Sequence, residues 1–460
     1  MDGPRVPGKW IIDIEEGKEH TDHSKERIRW KKRCIFKVPP YFTSLNIDAY
    51  KPRVVSLGPY HHGKEHLKPM EAHKRRSLSH FLNRSRCSLK DLCDSLDEVT
   101  LQLMDHYDHL NEEWLDKDRF LELMVVDGCF LLEFLLNYTK LLNHDYDNFD
   151  PIFGISTRGS VMYRNIRRDM ILIENQLPVI VLQRLLALST CKDAREVSMD
   201  IAEGILNLYA IARTPHGPYY CFSPNTPNCT PNQYMHVLDV LRDELIAGSW
   251  GKNGHTINAT LPSATVLSSV GIKFTPTSPR DGIYIKGHTL FLPYLVVNEN
   301  SETMFLNFIA LEQLQVRKGQ RVSSYITFMD LLIRSADDVK LLRDYGVIHA
   351  LSRWSNRAIA KFFYELSKNP MVQPDDSLAE VRMALKDYYE SSKNIVELTA
   401  RKVNEKIGNW GSYFKQTYCR NPWTVMGLVA GIIILALTAI QTYYAVQQYY
   451  DNNRSPPLHH

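Results

Sequence analysis

The sequence lacks the short motifs that identify most nucleotide-binding and hydrolytic enzymes. It contains no G-x-x-x-x-G-K-[ST], no G-x-G-x-x-G, no G-x-S-x-G and no H-E-x-x-H. Each of these motifs supplies backbone or side-chain groups that its chemistry requires at a fixed spacing. Their absence argues against a phosphate-loop nucleotide hydrolase, a dinucleotide-binding domain, an α/β-hydrolase and a zinc protease.

Neither the cysteines nor the net charge indicates a metal site or a nucleic-acid partner. The eight cysteines among 460 residues include no C-x-x-C pair, so neither a zinc site nor a dense disulfide framework is expected. Cys129 and Cys191 lie in apolar stretches, where a reduced, buried thiol is the ordinary role. The net charge of +3 and the pI near 8.3 are too balanced for a nucleic-acid-binding domain. We therefore expect no metal, no cofactor and no nucleic-acid partner.

A long apolar run is absent from the start of the chain but present near its end. The N-terminal sequence carries charges throughout and does not resemble a secretory signal peptide. No charged residue occurs from Asn421 to Tyr450, and the centre of that stretch reads VMGLVAGIIILALTAI. Its length matches the roughly 30 Å of a bilayer core, and aromatic residues flank it where an interfacial belt belongs. The sequence therefore predicts a transmembrane helix over 421–446, in preference to a buried core helix, and a short tail over 447–460.

The residues around this helix predict its orientation and a way for two copies to pair. Basic residues are frequent over 401–420, whereas Arg454 is the only lysine or arginine that follows the helix. The positive-inside rule therefore places residues 1–420 in the cytoplasm, and we expect the plasma membrane. The N-x-[ST] sequons are interpreted as chance matches. Gly427 and Gly431 form a G-x-x-x-G spacing, which would allow a homodimer through the helix.

Periodicity predicts a mainly helical (α+β) protein with one large domain. Residues 1–33 are polar and are expected to be flexible, and the domain extends over 34–420. Apolar residues at helical spacing predict helices over 34–250 and 301–407. Alternating residues around Asp-Gly and Lys-Gly turns predict a small antiparallel β portion over 254–297.

Two apolar helical stretches carry acids that need partners inside a core. FLELMVVDGCFLLEFLL is interrupted by Asp-Gly, and DMILIENQLPVIVLQRLLAL is almost wholly apolar. Burying an unpaired carboxylate is costly, so counter-charges are expected nearby. The acids concerned are Asp127, Glu133, Asp169 and Glu174, and the expected partners are Arg164, Arg167, Arg168 and Arg184.

A helical pattern from about Leu67 carries a run of basic residues. The apolar positions that predict its core face are Met70, Leu78, Phe81 and Leu82. Lys74, Arg75 and Arg76 are then expected to lie largely on another face. Such a basic face is solvated surface in most proteins, and a lipid- or phosphate-binding role is the alternative.

The segment VSLGPYHHG contains two adjacent histidines, for which a metal site, a catalytic pair and a sharp turn are the available interpretations. Adjacent side chains of an extended chain point apart, so one histidine would face inward and the other outward. A metal site needs three or four converging ligands, and the next histidines lie on a different element. The flanking glycines and proline favour a turn. A catalytic thiol at Cys129 would need a nearby histidine and electropositive surroundings, whereas its neighbours are apolar.

Several segments in order carry a family resemblance. They run from IFKVPPYFTSLNIDAYKPRVVSLGPYHHG through MVVDGCFLLEFLL and RRDMILIENQLPVIVLQRL to the closing apolar helix, over about residues 34–446. Together they resemble a plant family, domain of unknown function 247, also called UPF0481, whose members typically end in one membrane helix. The motif residues in this chain are Gly58, Pro59, Tyr60, His61, His62, Gly63, Asp127, Gly128, Cys129, Glu174, Asn175 and Gln176.

The resemblance implies a role in recognition and no catalytic residues, because the family has no established activity. Some grass members are implicated as pollen-side determinants of self-incompatibility, in which a membrane-anchored protein is recognised by small partners. We therefore expect a membrane-anchored recognition or signalling protein that acts through protein partners and is not an enzyme. One alternative is an enzyme that uses Asp127, Cys129, His61 or His62 in a cleft. The other is a lipid-binding module that uses 74–76 and 401–420.

Overall fold

The structure, a computed structural model, consists of two compact units, residues 1–386 and 387–460. The structure describes residues 30, 32–43, 46–85, 87–139, 146–209, 213–214, 217–218, 234–246, 248, 261–350, 354–393 and 422–452. Four parts of the sequence predictions lie outside the described residues. They are most of the segment expected to be flexible, the start of the expected β portion, the basic segment 401–420 and the end of the tail.

The first part of the larger unit is built around one apolar helix. Its helices are α1 (Lys68–Arg84), α2 (Leu89–Asp97), α3 (Thr100–Asp105), α4 (Lys117–Thr139), α5 (Val161–Asp169), α6 (Val179–Thr190), α7 (Ala194–Tyr209) and α8 (Val237–Leu245). Two-residue strands β1 (Arg213–Thr214) and β2 (Gly217–Pro218) pair antiparallel. Ser88 and Ser160 cap α2 and α5 by accepting hydrogen bonds from backbone N–H groups of the first turn. Helix α4 packs against α1, α2, α6 and α7, which explains why it is apolar on nearly every side.

The Asp127-Gly128 pair does not interrupt α4, contrary to the expectation from sequence. A Cβ atom on Gly128 would lie 2.6 Å from Leu185 Cδ1 and 2.8 Å from Val181 Cγ1, both on α6. Glycine therefore allows α4 and α6 to approach closely. This packing offsets the roughly 0.5–1 kcal/mol by which glycine disfavours a helix interior.

The sheet portion is small and mixed. After α9 (Ala264–Ser269) come strands β3 (Lys273–Thr277), β4 (Tyr284–Lys286), β5 (Thr289–Pro293) and β6 (Leu295–Val297), with β7 (Ile348–Ala350) later in the chain. The β4–β5 hairpin is antiparallel and turns at Gly287, where φ is +60°. Strand β5 also pairs with β3, but in parallel. After β3 the chain forms β4 at the far edge of the sheet and then returns as β5, which lies between β3 and β4. The antiparallel expectation therefore fits only this hairpin, and β6 pairs in parallel with β7 beyond residue 297.

The second helical part surrounds an aromatic core. Its helices are α10 (Ser301–Leu314), α11 (Arg321–Leu332), α12 (Ala336–Asp344) and α13 (Asn356–Ser367), followed by helical residues 379–393. The ring of Phe305 is stacked with that of Tyr325, with the ring centroids 6.3 Å apart, and it meets the rings of Phe362 and Phe363 edge-on. These rings join α10, α11 and α13 into one core.

The smaller unit ends in the long apolar helix that the sequence predicts. Helix α14 (Pro422–Asn452) contains the stretch Val429–Tyr449, with a mean hydropathy of 1.8 and none of its side chains buried. Within the described part of the chain, it is the one helix long and apolar enough to cross a membrane. The mainly helical fold class with a small sheet portion is confirmed.

Candidate functional site

The family-type motif residues meet around an extended stretch of backbone, residues 53–58. The Asp169 carboxylate at the end of α5 accepts hydrogen bonds from the backbone N–H groups of Arg53, Val54 and Val55, at 2.9, 2.7 and 3.1 Å. Arg168 pairs with this carboxylate at 3.1 Å. Burial raises the pKa of Asp169, although the three N–H groups and Arg168 oppose that rise. One carboxylate thus satisfies three consecutive backbone donors.

Two amide side chains continue this arrangement. Asn175 accepts a hydrogen bond from the Leu57 N–H at 2.7 Å and donates to the Val55 carbonyl at 3.0 Å. Gln176 accepts from the Leu238 N–H at 3.1 Å, which ties the motif to α8. Both amides are fully buried and act as backbone partners for segments that lack a regular sheet.

Gly58 turns the chain at a position where no side chain fits. Its φ is +72°, and a Cβ atom would lie 2.8 Å from Tyr107 Oη and 2.9 Å from the Gln176 carbonyl oxygen. Its N–H donates to Asp127 Oδ2 at 2.8 Å. All three motif segments therefore meet at this glycine. Its positive φ fits the sharp turn that the sequence favours.

Lys74 is buried, which corrects its expected place on a basic surface. Its ammonium lies 2.7 Å from Asp127 Oδ1 and 2.8 Å from Glu71 Oε1. The residues of α1 that face the core are Met70, Lys74, Ser77 and Phe81, so the buried stripe includes the lysine. Burial raises the pKa of Asp127, and Lys74 opposes the rise. Arg76 pairs with Asp150, and Arg75 remains exposed.

The two histidines of the motif have different surroundings, as predicted for adjacent side chains. His61 is buried, with Nε2 2.9 Å from Glu174 Oε2 and Nδ1 2.6 Å from Lys64 Nζ. Glu174 also accepts a hydrogen bond from the Val38 N–H at 2.6 Å. Burial lowers the pKa of Lys64; the nearby Glu174 opposes this effect and Lys51 adds to it. The carboxylate, imidazole and amine thus form a continuous polar chain that ends at the surface.

His62 instead lines a surface cavity of about 200 Å³. Its ring meets Trp114 edge-on, with centroids 5.4 Å apart, and the Arg119 guanidinium lies 4.8 Å from the centre of the indole. The walls of the cavity come from α1 and α4. The neighbouring Tyr60 donates through its hydroxyl to the carbonyls of Ile35 and Asp108 and helps to hold the turn.

A family model described as a plant protein of unknown function, DUF247, matches residues 35–437. The chain belongs to this family. It is 27% identical to the UPF0481 protein At3g47200 of Arabidopsis thaliana, over 92% of this chain and 89% of the relative. It is 22% identical to a second Arabidopsis thaliana UPF0481 protein, At3g02645, over 95% of this chain and 94% of the relative. No solved structure matches.

The DUF247 motif residues do not assemble the catalytic constellation considered from the sequence. Asp127 and Cys129 lie two residues apart on α4 and therefore point to different sides of the helix. His61 contacts Glu174 and Lys64, and His62 contacts Trp114. Burial raises the pKa of the Cys129 thiol, and Glu133 and the thiols Cys87 and Cys93 add to the rise.

The partners of the four buried acids could be predicted only in part. Asp169 pairs with Arg168, as expected, but the other three acids use residues that sequence reasoning did not select. Those partners are Lys74 for Asp127, Arg84 for Glu133 and His61 for Glu174. Each lies far away in sequence, so helical spacing alone could not identify it. Among the described residues, no group of three histidines, cysteines or acids could hold a metal ion.

A second buried ionic cluster was missed altogether. Arg242 on α8 pairs with Glu312 on α10 at 2.7 Å, and Lys318 lies 2.5 Å from Asp239. Burial raises the pKa of Glu312, whereas Arg242 and two backbone N–H groups oppose the rise. The cluster joins the two helical parts of the larger unit. In the sequence, Glu312 interrupts an apolar stretch of α10, but α8 carries four charged residues, and neither pattern identifies the pairing.

Proposed function

We propose that this DUF247 protein is a membrane-anchored recognition protein, which binds a protein partner and does not turn over a substrate. The single observation that carries the proposal is α14, whose apolar stretch Val429–Tyr449 has no buried side chains. Leaving so much apolar surface in water is costly, so a bilayer is its natural environment. Trp423 and Tyr443, exposed by 76% and 64%, suit the two interfaces.

The large unit is expected in the cytoplasm at the plasma membrane, because the basic residues precede the helix. The structure supplies a sharper test of this orientation than the sequence does. Asn83 is exposed and belongs to an N-x-S sequon, whereas Asn137 is buried and donates to the Phe153 carbonyl at 2.6 Å. A translocated unit should therefore carry a glycan at Asn83 and none at Asn137.

A role without catalysis is supported by the structural use of three buried motif side chains. Asp127, Asn175 and Gln176 use their polar atoms to hold backbone and buried charges. An enzyme site would need such groups to be free for a substrate. The lipid-binding alternative loses one of its residues, because the buried Lys74 cannot reach a membrane surface.

The first experiment is membrane extraction and protease protection of the full chain, tagged at both ends. Ile433→Arg together with Leu435→Arg should release the protein from membranes, since each central arginine costs roughly 2.5–3.5 kcal/mol of insertion. Ile433→Leu is the matched control. An N-terminal tag that is digested without a glycan at Asn83 supports the cytoplasmic orientation. A protected N-terminal tag together with a glycan at Asn83 would contradict the cytoplasmic orientation. Extraction of the wild-type protein by carbonate would contradict the membrane anchor.

The proposal extends to self-association and to self-recognition. A Cβ atom added at Gly427 or Gly431 meets no other described atom within 4 Å, so isoleucine at both positions should leave the isolated helix intact. Loss of crosslinked dimer in Gly427→Ile/Gly431→Ile would therefore report helix–helix packing, and unchanged crosslinking would reject it.

A self-incompatibility role of the kind implied by grass members predicts that natural alleles differ at exposed residues of the large unit. Identical alleles in incompatible and compatible plants would reject that role.

A further inference from the structure

The cavity beside His62 has two walls with the same mixture of charge. Helix α1 contributes Glu71 and Arg75, and helix α4 contributes Arg119 and Glu122. Each wall thus offers one acid and one base. Glu71 is held by the buried Lys74, whose ammonium lies 2.8 Å from its carboxylate.

Several polar groups that line this cavity lack partners in the described part of the chain. Trp114 is only 2% exposed, yet its indole N–H has no acceptor there, and His62 Nδ1 is likewise without a hydrogen bond. A buried polar group without a partner costs roughly 1–3 kcal/mol, so native structures seldom leave two together. Arg75 and Glu122 form no ion pair with another described residue, although both are exposed.

We propose that this cavity binds a small zwitterion of amino-acid size, with its carboxylate toward Arg75 and its ammonium toward Glu122. Glu71 already pairs with Lys74 at 2.8 Å and Arg119 with Glu113 at 3.1 Å, so Arg75 and Glu122 are the two lining charges without an ion pair among the described residues. A lone anion would leave Glu122 without a counter-charge, and a lone cation would leave Arg75 without one. Only a ligand with both charges complements both walls, which is how charge pairs produce specificity. The indole N–H of Trp114 adds a donor for the carboxylate end.

The size and the apolar part of the cavity set the ligand class. About 200 Å³ is smaller than the roughly 300–1,000 Å³ of drug-sized sites, so a single metabolite fits better than a peptide. Leu123 and Val126 of α4 complete the lining and suit an aliphatic side chain. This inference does not depend on membrane anchoring or on a protein partner, and it would stand if either failed.

The test uses three probes that share the isobutyl group of the leucine side chain. L-leucine carries both charges, 4-methylpentanoate lacks the amine, and 3-methylbutylamine lacks the carboxylate. Each is titrated by ligand-observed NMR onto the full chain in lipid nanodiscs at low ionic strength. We expect L-leucine to bind with a Kd between about 10 μM and 1 mM. Either single-charge probe should bind at least about tenfold more weakly, because one charged hydrogen-bonding partner is lost.

Point variants then assign the two ends of the ligand. Arg75→Gln should weaken the binding of L-leucine by about tenfold or more and leave the binding of 3-methylbutylamine unchanged. Glu122→Gln should also weaken the binding of L-leucine, but leave that of 4-methylpentanoate unchanged. Trp114→Phe keeps the ring and removes the donor. Lys361→Gln and Glu365→Gln, an exposed pair on α13 separated by 3.3 Å, are the matched controls.

The outcomes separate the proposal from its rivals. Arg75 and Glu122 are exposed, so their variants should fold even if Trp114→Phe does not. A site for anions would bind 4-methylpentanoate as tightly as L-leucine, and a site for cations would do the same with 3-methylbutylamine. The inference would be overturned by either of these results, by no binding of L-leucine at about 10 mM, or by wild-type affinity for L-leucine in both Arg75→Gln and Glu122→Gln.

Discussion

Removing Lys74 alone should destabilise the large unit more than replacing both Lys74 and Asp127. The two charged groups lie 2.7 Å apart, and both side chains are fully buried. Lys74→Met would leave the Asp127 carboxylate buried beside Glu71 with no cation. An uncompensated buried charge costs roughly 3–5 kcal/mol.

The second variant and the double variant complete the cycle. Asp127→Asn removes the negative charge but keeps an oxygen for the Gly58 N–H, which now donates at 2.8 Å. Its cost should be roughly 1–3 kcal/mol, because Glu71 still faces the lysine. The double variant Lys74→Met/Asp127→Asn removes both fully buried charges and leaves only Glu71, whose side chain is 28% exposed, so it should cost little more than Asp127→Asn alone. The coupling energy is therefore expected to be at least about 2 kcal/mol.

The measurement is urea unfolding of the full chain in detergent, read by pulse proteolysis. The control cycle is Lys361→Met with Glu365→Gln, whose side chains are 71% and 62% exposed and should couple by less than about 0.5 kcal/mol. Burial raises the pKa of Asp127, so its protonation can relieve the unpaired charge in Lys74→Met. In that variant, stability should therefore rise as the pH is lowered from neutral toward about 3.9, the ordinary pKa of an aspartate. Equal coupling in the two cycles would refute the assignment of this pair as a buried anchor.

Three further predictions follow from the described contacts. Gly58→Ala should lower the free energy of unfolding by more than about 2 kcal/mol. Gly63→Ala, where φ is +80° but the space is open, should lower it by about 1 kcal/mol. Equal losses would contradict the close approach of Tyr107 and Gln176 to Gly58. Burial lowers the pKa of His236 to about 3, so stability should fall by about 1.4 kcal/mol per pH unit below about pH 6.5. His236→Gln should lose that slope between about pH 6.5 and 5, and an unchanged slope would exclude His236 as its source. Iodoacetamide should modify the exposed Cys191 and spare the buried Cys129 until the protein unfolds, as peptide mass spectrometry would show.

Much of the fold could be predicted because its signals are local. The apolar stretch of α14 and the helical periodicity of the large unit need no knowledge of distant residues. The parallel pairing of β3 with β5 could not be predicted, because a hairpin turn indicates which strands are adjacent in sequence and not which strand enters between them. Gly128 was misread for a related reason, since its small size serves the contact with α6 and not a break in α4.

The candidate site was harder to predict than the fold. The carboxylate of Asp169 holds backbone 114–116 residues earlier, and no periodicity links the two segments. Lys74 was assigned to the surface because lysine is rarely buried without a partner, and its partner is on another helix. A charged residue within an apolar stripe is the one signal that could have suggested a buried pair, and the spacing Met70, Lys74, Ser77 and Phe81 contains it.

His61 and His62 are neighbours in one motif, yet the contacts assign them different roles. Charged groups lie beside both ring nitrogens of His61, with Glu174 2.9 Å from Nε2 and Lys64 2.6 Å from Nδ1. His62 has an unpartnered nitrogen in the described structure and lines a cavity of mixed charge. Because the cost of an unsatisfied buried polar atom can be recovered when a ligand binds, the second histidine is the better place to look for function. If binding of the zwitterion requires the cavity residues while His61 affects only folding, the motif combines a structural turn with a ligand site.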